Sequence, residues 1–215
     1  MASGQIQITP TVTVVIPVRD RARIVTATLD SVFAQDIRPV HVVVVDNGSV
    51  DGTFSVINRW IEAHSSDPYF VTTLVREPTP GPSAARNRGL KEVSSPYVMF
   101  FDSDDLMSPG HLRRVSEAFE ADNSIDIAGW DINNIDINNR LTVQPFADSD
   151  MLFRHLFNCI LGTVRYAVRT DFIRRAGGWN ETLAGWEDYE LGMRLLMLHP
   201  KVRNCLLYTS DAADE

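Results

Sequence analysis

The sequence predicts an α/β fold with a mostly parallel central sheet flanked by helices and a Rossmann-like N-terminal half. Three observations carry this. The run Tyr97 to Phe101 is apolar without interruption, as expected of a strand covered on both faces, and Val40 to Val45 is β-branched. Helical patterns alternate with them. Acid-bearing loops follow the second and fourth runs, at the strand ends where such sheets take their ligands.

Val12 to Val18 is β-branched and reads as the first strand, closing near Pro17, which lacks a ladder donor. From Arg23 to Gln35, Val25, Leu29, Val32 and Phe33 form one stripe of an amphipathic helix. Val40 to Val45 is the second strand, followed by Asp46-Asn47-Gly48-Ser49-Val50-Asp51-Gly52-Thr53 and a helix carrying Phe54, Ile57 and Ile61. Phe70 to Val75 is a third strand and Ser83 to Val93 a helix, with Pro78, Pro80, Gly81 and Pro82 turning between them. The fourth strand ends at Phe101, and Ser108-Pro109 suits an N-cap and first turn for a helix to about Ala121. Ile125 to Trp130 is a strand candidate, and the Asn-rich stretch from Asp131 to Asn139 a hairpin or irregular loop. Beyond it, Leu152, His155 and Leu156 suggest a short helix with His155 and Cys159 in its core, and Val164 to Val168 a strand. Thr170 caps a helix stopping at Gly177-Gly178, and a last helix from Glu187 to Leu198 has Leu191, Leu195 and Leu198 on its stripe.

Residues 1–10 read as an N-terminal extension and 11–204 as one domain, consistent with 215 residues of ordinary globular composition. No apolar run spans a bilayer and Met1 to Pro10 lacks a signal-peptide pattern, so a cytoplasmic location is expected. A net charge of −8 disfavours nucleic acid as a partner. Residues 205–215, Cys205-Leu206-Leu207-Tyr208-Thr209-Ser210-Asp211-Ala212-Ala213-Asp214-Glu215, resemble translated sequencing-adapter read-through and are read as an artefactual tail. That leaves Cys159 alone, which fits a reducing compartment.

Three acidic places stand out: Asp46, the Asp102-Ser103-Asp104-Asp105 cluster, and Glu187-Asp188. An acidic cluster taken alone reads as a solvated turn; three at strand and helix ends suit a site where one carboxylate meets a cation and another accepts a proton. Together with Val14-Val15-Ile16-Pro17-Val18, Arg86-Asn87-Arg88-Gly89 within Gly81 to Gly89, and Gly177-Gly178-Trp179-Asn180-Glu181, they resemble the family 2 glycosyltransferases of GT-A fold, in order and spacing, from about Thr11 to Arg203.

The resemblance implies an inverting enzyme moving a sugar from a nucleotide-diphosphate donor, a UDP-sugar foremost, to a hydroxyl of a glycan or lipid-linked acceptor, with Mn2+ or Mg2+ as cofactor. Carried over by residue, it implies Asp188 as general base, Asp104 as metal ligand, Asp46 at the base of the nucleotide, Asp102 near the ribose, and Pro17 and Asn87 on the donor. Gly178, Trp179 and Glu187 fall to the acceptor side, and Asp105 to the start of the next turn. Other readings stay open at several of these positions: an Asx turn for Asp46, helix-terminal charge for Asp188, a solvated face for Arg88, and packing for Trp179 and Trp186, which could instead stack on a sugar. Arg19-Asp20 replaces the family's usual Tyr-Asn after the first strand. Family members run on past the last helix, so the chain is expected to be C-terminally truncated, with peripheral membrane association through what would follow residue 204. A non-catalytic nucleotide-sugar-binding module and a sugar-1-phosphate nucleotidyltransferase are the alternatives. The latter expects a Gly-rich loop after the first strand, and Arg19 to Arg23 has no glycine. An NAD site is disfavoured for want of Gly-x-Gly-x-x-Gly there.

Overall fold

In the computed structural model residues 10–146 and 149–205 are described; expectations for residues 1–9 and 206–215, nearly all of the N-terminal extension and the adapter-like tail, lie outside them. The β-branched run Val40–Asp46 forms strand β2 with every residue buried. Burying each of its valines contributes roughly 1.5–3 kcal/mol, which draws such a run to the centre of a sheet. It pairs in parallel with β1 (Val12–Val18) and β3 (Phe70–Arg76), and β1 in turn with β4 (Tyr97–Phe100).

Helices α1 (Val25–Phe33), α2 (Thr53–His64) and α3 (Pro82–Glu92) connect these strands, and α4 (His111–Ala121) follows β4. The second half adds β5 (Ile127–Gly129), a hairpin of β6 (Ile132–Ile135) and β7 (Leu141–Gln144), α5 (Met151–Asn158) and a 3-10 turn at Thr163–Arg165. After it come β8 (Tyr166–Arg169), α6 (Thr170–Arg175), α7 (Glu187–Met197) and β9 (Val202–Asn204). Among the described residues the main sheet has seven strands in the order β3-β2-β1-β4-β8-β5-β9, in which only β8 runs antiparallel to its neighbours. Two apolar layers cover it. Val14, Ile16, Val42 and Val44 face Leu29, Ile57 and Phe119 on one side. Val15, Val43, Val45 and Phe100 face Ala85, Leu90 and Leu191 on the other, as period-2 alternation requires.

Strand order reverses between β1 and β4, and the crevice beyond their carboxyl ends is where a ligand fits such a sheet. Helix α3 lies close against it because Gly89 has no side chain: a Cβ there would sit 2.3 Å from Val15 Cγ1.

Several local expectations give way. Helix α4 begins two residues beyond Pro109, with Gly110 left-handed at its N-cap, and the Ser108 carbonyl serves His111 and Gln35 instead. Thr170 is the first residue of α6 rather than its cap, because its hydroxyl donates to the Ser95 carbonyl. In α5 His155 is buried as expected, but the rest of the stripe is misread: Met151 is its buried companion, Leu152 and Leu156 are exposed, and Cys159 is a half-buried, left-handed C-cap. In α7, Leu196 is buried beside Leu191 and Leu195, and Leu198 lies past the helix, exposed. No helix among the described residues is long and apolar enough to cross a membrane.

Candidate active site

A cleft of about 350 Å3 opens at the strand reversal, lined by Pro17, Asn47, Gly81, Arg86, Asp102 and Asp104 among others. Its walls are tied together by the loops that leave β1 and β2. Asp20 accepts from the Val50 amide, Asp51 from Ala22 and Thr53 from Arg21, so the Arg19-Asp20 departure fastens one loop to the other. Asn47 organises the Pro-rich turn: its amide donates to the Glu77 and Thr79 carbonyls at 2.9 and 2.7 Å, and its Oδ1 accepts from Gly81 at 2.9 Å. Asp46 beside it is 2% exposed and accepts from the Ser49 amide three residues on at 3.2 Å, with Arg76 at 3.9 Å.

Arg86, buried in the first turns of α3, is the hub. Its guanidinium meets Asp102 and Glu187 at 3.4 Å each and Asp188 at 3.8 Å, and lies 4.6 Å over the Trp179 ring. Three of the acids singled out in the sequence therefore converge on one cation. Asp102 has its pKa raised by partial burial; Arg86 opposes the rise, and the nearby Asp188 and Asp104 carboxylates add to it. Asp104 is exposed at the mouth and meets Arg21 at 3.4 Å. Both arginines keep a buried Nε without a partner among the described residues.

Asp188 sits in the first turn of α7, and Thr163 holds it: the hydroxyl donates to Oδ1 at 2.5 Å and the amide to Oδ2 at 3.1 Å. Sequence reasoning missed Thr163, Asn47 and Arg21. Asn47 alone had a signal, lying inside a quoted motif.

Other expected site residues are placed elsewhere. Asn87 turns from the cleft to the Gly178 loop: its Oδ1 accepts from the Trp179 amide at 2.8 Å, and its amide donates to the Trp179 carbonyl and to Glu181. Gly178 has φ +67°, and a Cβ would stand 2.7 Å from Asn87 Oδ1, so a glycine is needed there. Trp179 is 3% exposed and packs edge-on against Phe100 at 5.4 Å, which leaves no face for a sugar. Trp186 is the opposite case, 80% exposed with φ +64° at the N-cap of α7. Glu187 is on Arg86 rather than free.

The donor set suits a hard divalent cation. Asp102 and Asp104 offer oxygens, and the pKa of Asp102 is raised partly by neighbouring carboxylates, a repulsion a cation would relieve. Among the described residues no three ligating side chains cluster, so the remaining positions would fall to ligand oxygens and water.

The family model described as glycosyl transferase family 2 matches residues 13–179. Succinoglycan biosynthesis protein ExoO of Rhizobium meliloti (strain 1021) is 29% identical over 197 residues, covering 85% of this chain and 54% of that protein. The chain thus spans about half the length of this curated relative. Among solved structures, S. aureus TarS 1-349 in complex with UDP-GlcNAc has a TM-score of 0.74 at 22% identity, over 93% of this chain and 56% of that one. A mannosyltransferase from Pyrobaculum calidifontis in complex with GDP-Man and Mn2+ has a TM-score of 0.68 at 22% identity, over 96% of this chain and 59% of the other. At such identity the likeness shows the fold, an α/β architecture shared with GT-A glycosyltransferases.

Proposed function

The chain belongs to glycosyl transferase family 2, and from that premise we propose that it is an inverting glycosyltransferase, moving a sugar from a nucleotide-diphosphate donor to a hydroxyl of a glycan or lipid-linked acceptor. The observation that carries this is the cleft itself. Two arginines, Arg21 and Arg86, line it, each with a buried Nε that has no partner among the described residues, beside the carboxylates Asp102 and Asp104. Cationic forks with donors to spare suit a diphosphate. The relatives' names support the class: ExoO is a succinoglycan biosynthesis protein, and the TarS structure holds UDP-GlcNAc. A UDP-sugar is the donor proposed, with synthesis of a polysaccharide or glycoconjugate at the cytoplasmic side as the setting.

In this reading Pro17 and the Asp46–Asn47 turn border the nucleoside and Asp102 faces the ribose. Asp104 would hold Mn2+ or Mg2+, which when bound neutralises charge on the leaving diphosphate. Arg21 and Arg86 bind and orient that diphosphate. Asp188, its carboxylate held by Thr163, takes the proton of the acceptor hydroxyl as oxygen attacks the anomeric carbon opposite the departing diphosphate. One displacement inverts the configuration.

The test is nucleoside diphosphate release from a panel of UDP-, GDP- and dTDP-sugars with Mn2+, Mg2+ or chelator, with and without acceptor. Metal-dependent release that rises with acceptor is expected. In calorimetry, Asp104→Ala should abolish the gain in UDP affinity that Mn2+ brings. UDP binding without release from any donor would instead mark a non-catalytic binding module, and neither binding nor release would overturn the reading altogether.

A further inference from the structure

A second groove, a cavity of about 620 Å3, runs between the loop after β4 and the β6–β7 hairpin. Its walls include Asp104, the proposed cation ligand, and Val164, the neighbour of the Thr163 that holds Asp188. The groove thus reaches from the proposed cation ligand to the segment that holds Asp188. The acceptor-side residues expected from sequence do not supply such a space: Trp179 is buried, and Glu187 is engaged by Arg86.

The lining has a defined chemistry. Asp104, Asp105 and Asp131 contribute carboxylates, and no Lys or Arg among the described residues lines it. Arg21 offsets Asp104 at 3.4 Å, and the charge of Arg165 acts on Asp131 from behind, while the charged groups acting on Asp105 are the carboxylates Asp102 and Asp104. His111 also lines the groove, is 6% exposed, and keeps Nε2 without a hydrogen-bond partner among the described residues. A buried polar atom without a partner is costly, and at the edge of a groove a ligand can offset that cost. Burial, with Arg114 adding to it, depresses the His111 pKa to about 3, so the ring is neutral near pH 7 and offers a ring nitrogen to a hydroxyl rather than a charge.

Resting on the transferase reading, we propose that this groove is the acceptor subsite and that it takes an uncharged or amino-bearing sugar in preference to an anionic one. A carboxylate or phosphate on the acceptor would meet the field of Asp105 and Asp131 with no Lys or Arg among the described lining residues to answer it. A neutral sugar meets hydrogen-bonding side chains above the apolar surface of Met107, Ile132 and Val164.

The test uses three oligosaccharides of equal length, one neutral, one built of glucosamine and one of uronic acid, as acceptors at saturating donor and, separately, as ligands in saturation-transfer NMR. The neutral and amino forms should be favoured over the uronic acid form at least tenfold. Asp105→Asn should narrow that gap about threefold and Asp105→Asn with Asp131→Asn about tenfold, the size expected for one and two charges acting across solvent. In Asp131→Asn the new side-chain amide oxygen can still accept the Phe146 amide that Asp131 Oδ1 holds at 2.6 Å, and UDP affinity checks that each variant is folded. Equal use or binding of the uronic acid form, an unchanged gap in the double variant, or no binding of any of the three overturns the proposal. Loss of the transferase reading is separately visible, as absent nucleoside diphosphate release while the neutral sugar still binds.

Discussion

Thr163 gives both of its polar hydrogens to Asp188, the hydroxyl to Oδ1 at 2.5 Å and the amide to Oδ2 at 3.1 Å. A carboxylate on the first turn of a helix is thereby held from outside that helix, by the 3-10 turn before β8. One hydroxyl from another element fixes the orientation of the Asp188 carboxylate.

Asp188→Asn keeps this bonding capacity in part and loses the basicity. Transfer should fall by roughly 10² to 10⁴, the usual contribution of a general base, while calorimetric UDP affinity stays within about twofold. Turnover like that of the parent protein would remove Asp188 from the mechanism.

Thr163→Val removes one charge-assisted hydrogen bond and keeps the shape. A loss of about tenfold in kcat is expected, with the donor KM little changed and Thr163→Ser restoring most of the rate. A valine variant as fast as the serine variant would reduce the hydroxyl to packing.

Arg86→Ala should destabilise the protein by about 2–3 kcal/mol in urea unfolding. The figure lies below the usual 3–5 kcal/mol for a broken buried pair because Asp102, Glu187 and Asp188 keep some solvent. Arg86→Lys should recover only part of that stability, since a point charge cannot reach three carboxylates and lie flat over Trp179 at once.

Gly178→Ala combines a left-handed φ of +67° with a Cβ 2.7 Å from Asn87 Oδ1. A cost of roughly 1–3 kcal/mol is expected, read as a lowered denaturation midpoint. Pairing it with Asn87→Ala should cost less than the sum of the two single changes, because the clash disappears with the amide.

His111 provides a pH signature. Its pKa is depressed to about 3 in the fold, so between pH 3 and the unfolded value of 6.5 the unfolded chain binds more protons. Stability attributable to this site is complete above pH 6.5 and lost as pH falls toward 3. At pH 5 the loss is roughly 2 kcal/mol. The stability of His111→Phe, measured by urea unfolding at pH 8 and pH 5, should fall less than that of the parent by about this amount, and parallel curves would place the titration elsewhere.

The sheet was legible in the sequence because its signals are local. Val40 to Val45 and Tyr97 to Phe101 announce strands through β-branched and apolar runs that burial alone favours, whereas the Asn-rich stretch left hairpin and irregular loop both open until its pairing with Leu141–Gln144 decided for the hairpin. The start of α4 and the buried face of α5 were misread because neighbours outvoted the local pattern. Gly110 takes a left-handed turn after Pro109, and α5 buries Met151 beside the expected His155, whose Nε2 lies 3.0 Å from the Tyr189 carbonyl, so that Leu152 and Leu156 turn outward.

By itself the sequence determined the alternation of strands and helices, the family, and the acids at strand and helix ends, all of which reside in residue order and spacing. Only the tertiary structure decided how those acids are shared. Arg86 and Glu187 lie 101 positions apart and meet because α3 packs on the sheet through Gly89, an approach set by a missing Cβ rather than by any motif. The same packing buries Trp179, whereas Trp186, at the left-handed N-cap of α7, remains 80% exposed. Composition assigns two tryptophans the same possibilities; the path of the backbone beneath each decides which one meets solvent.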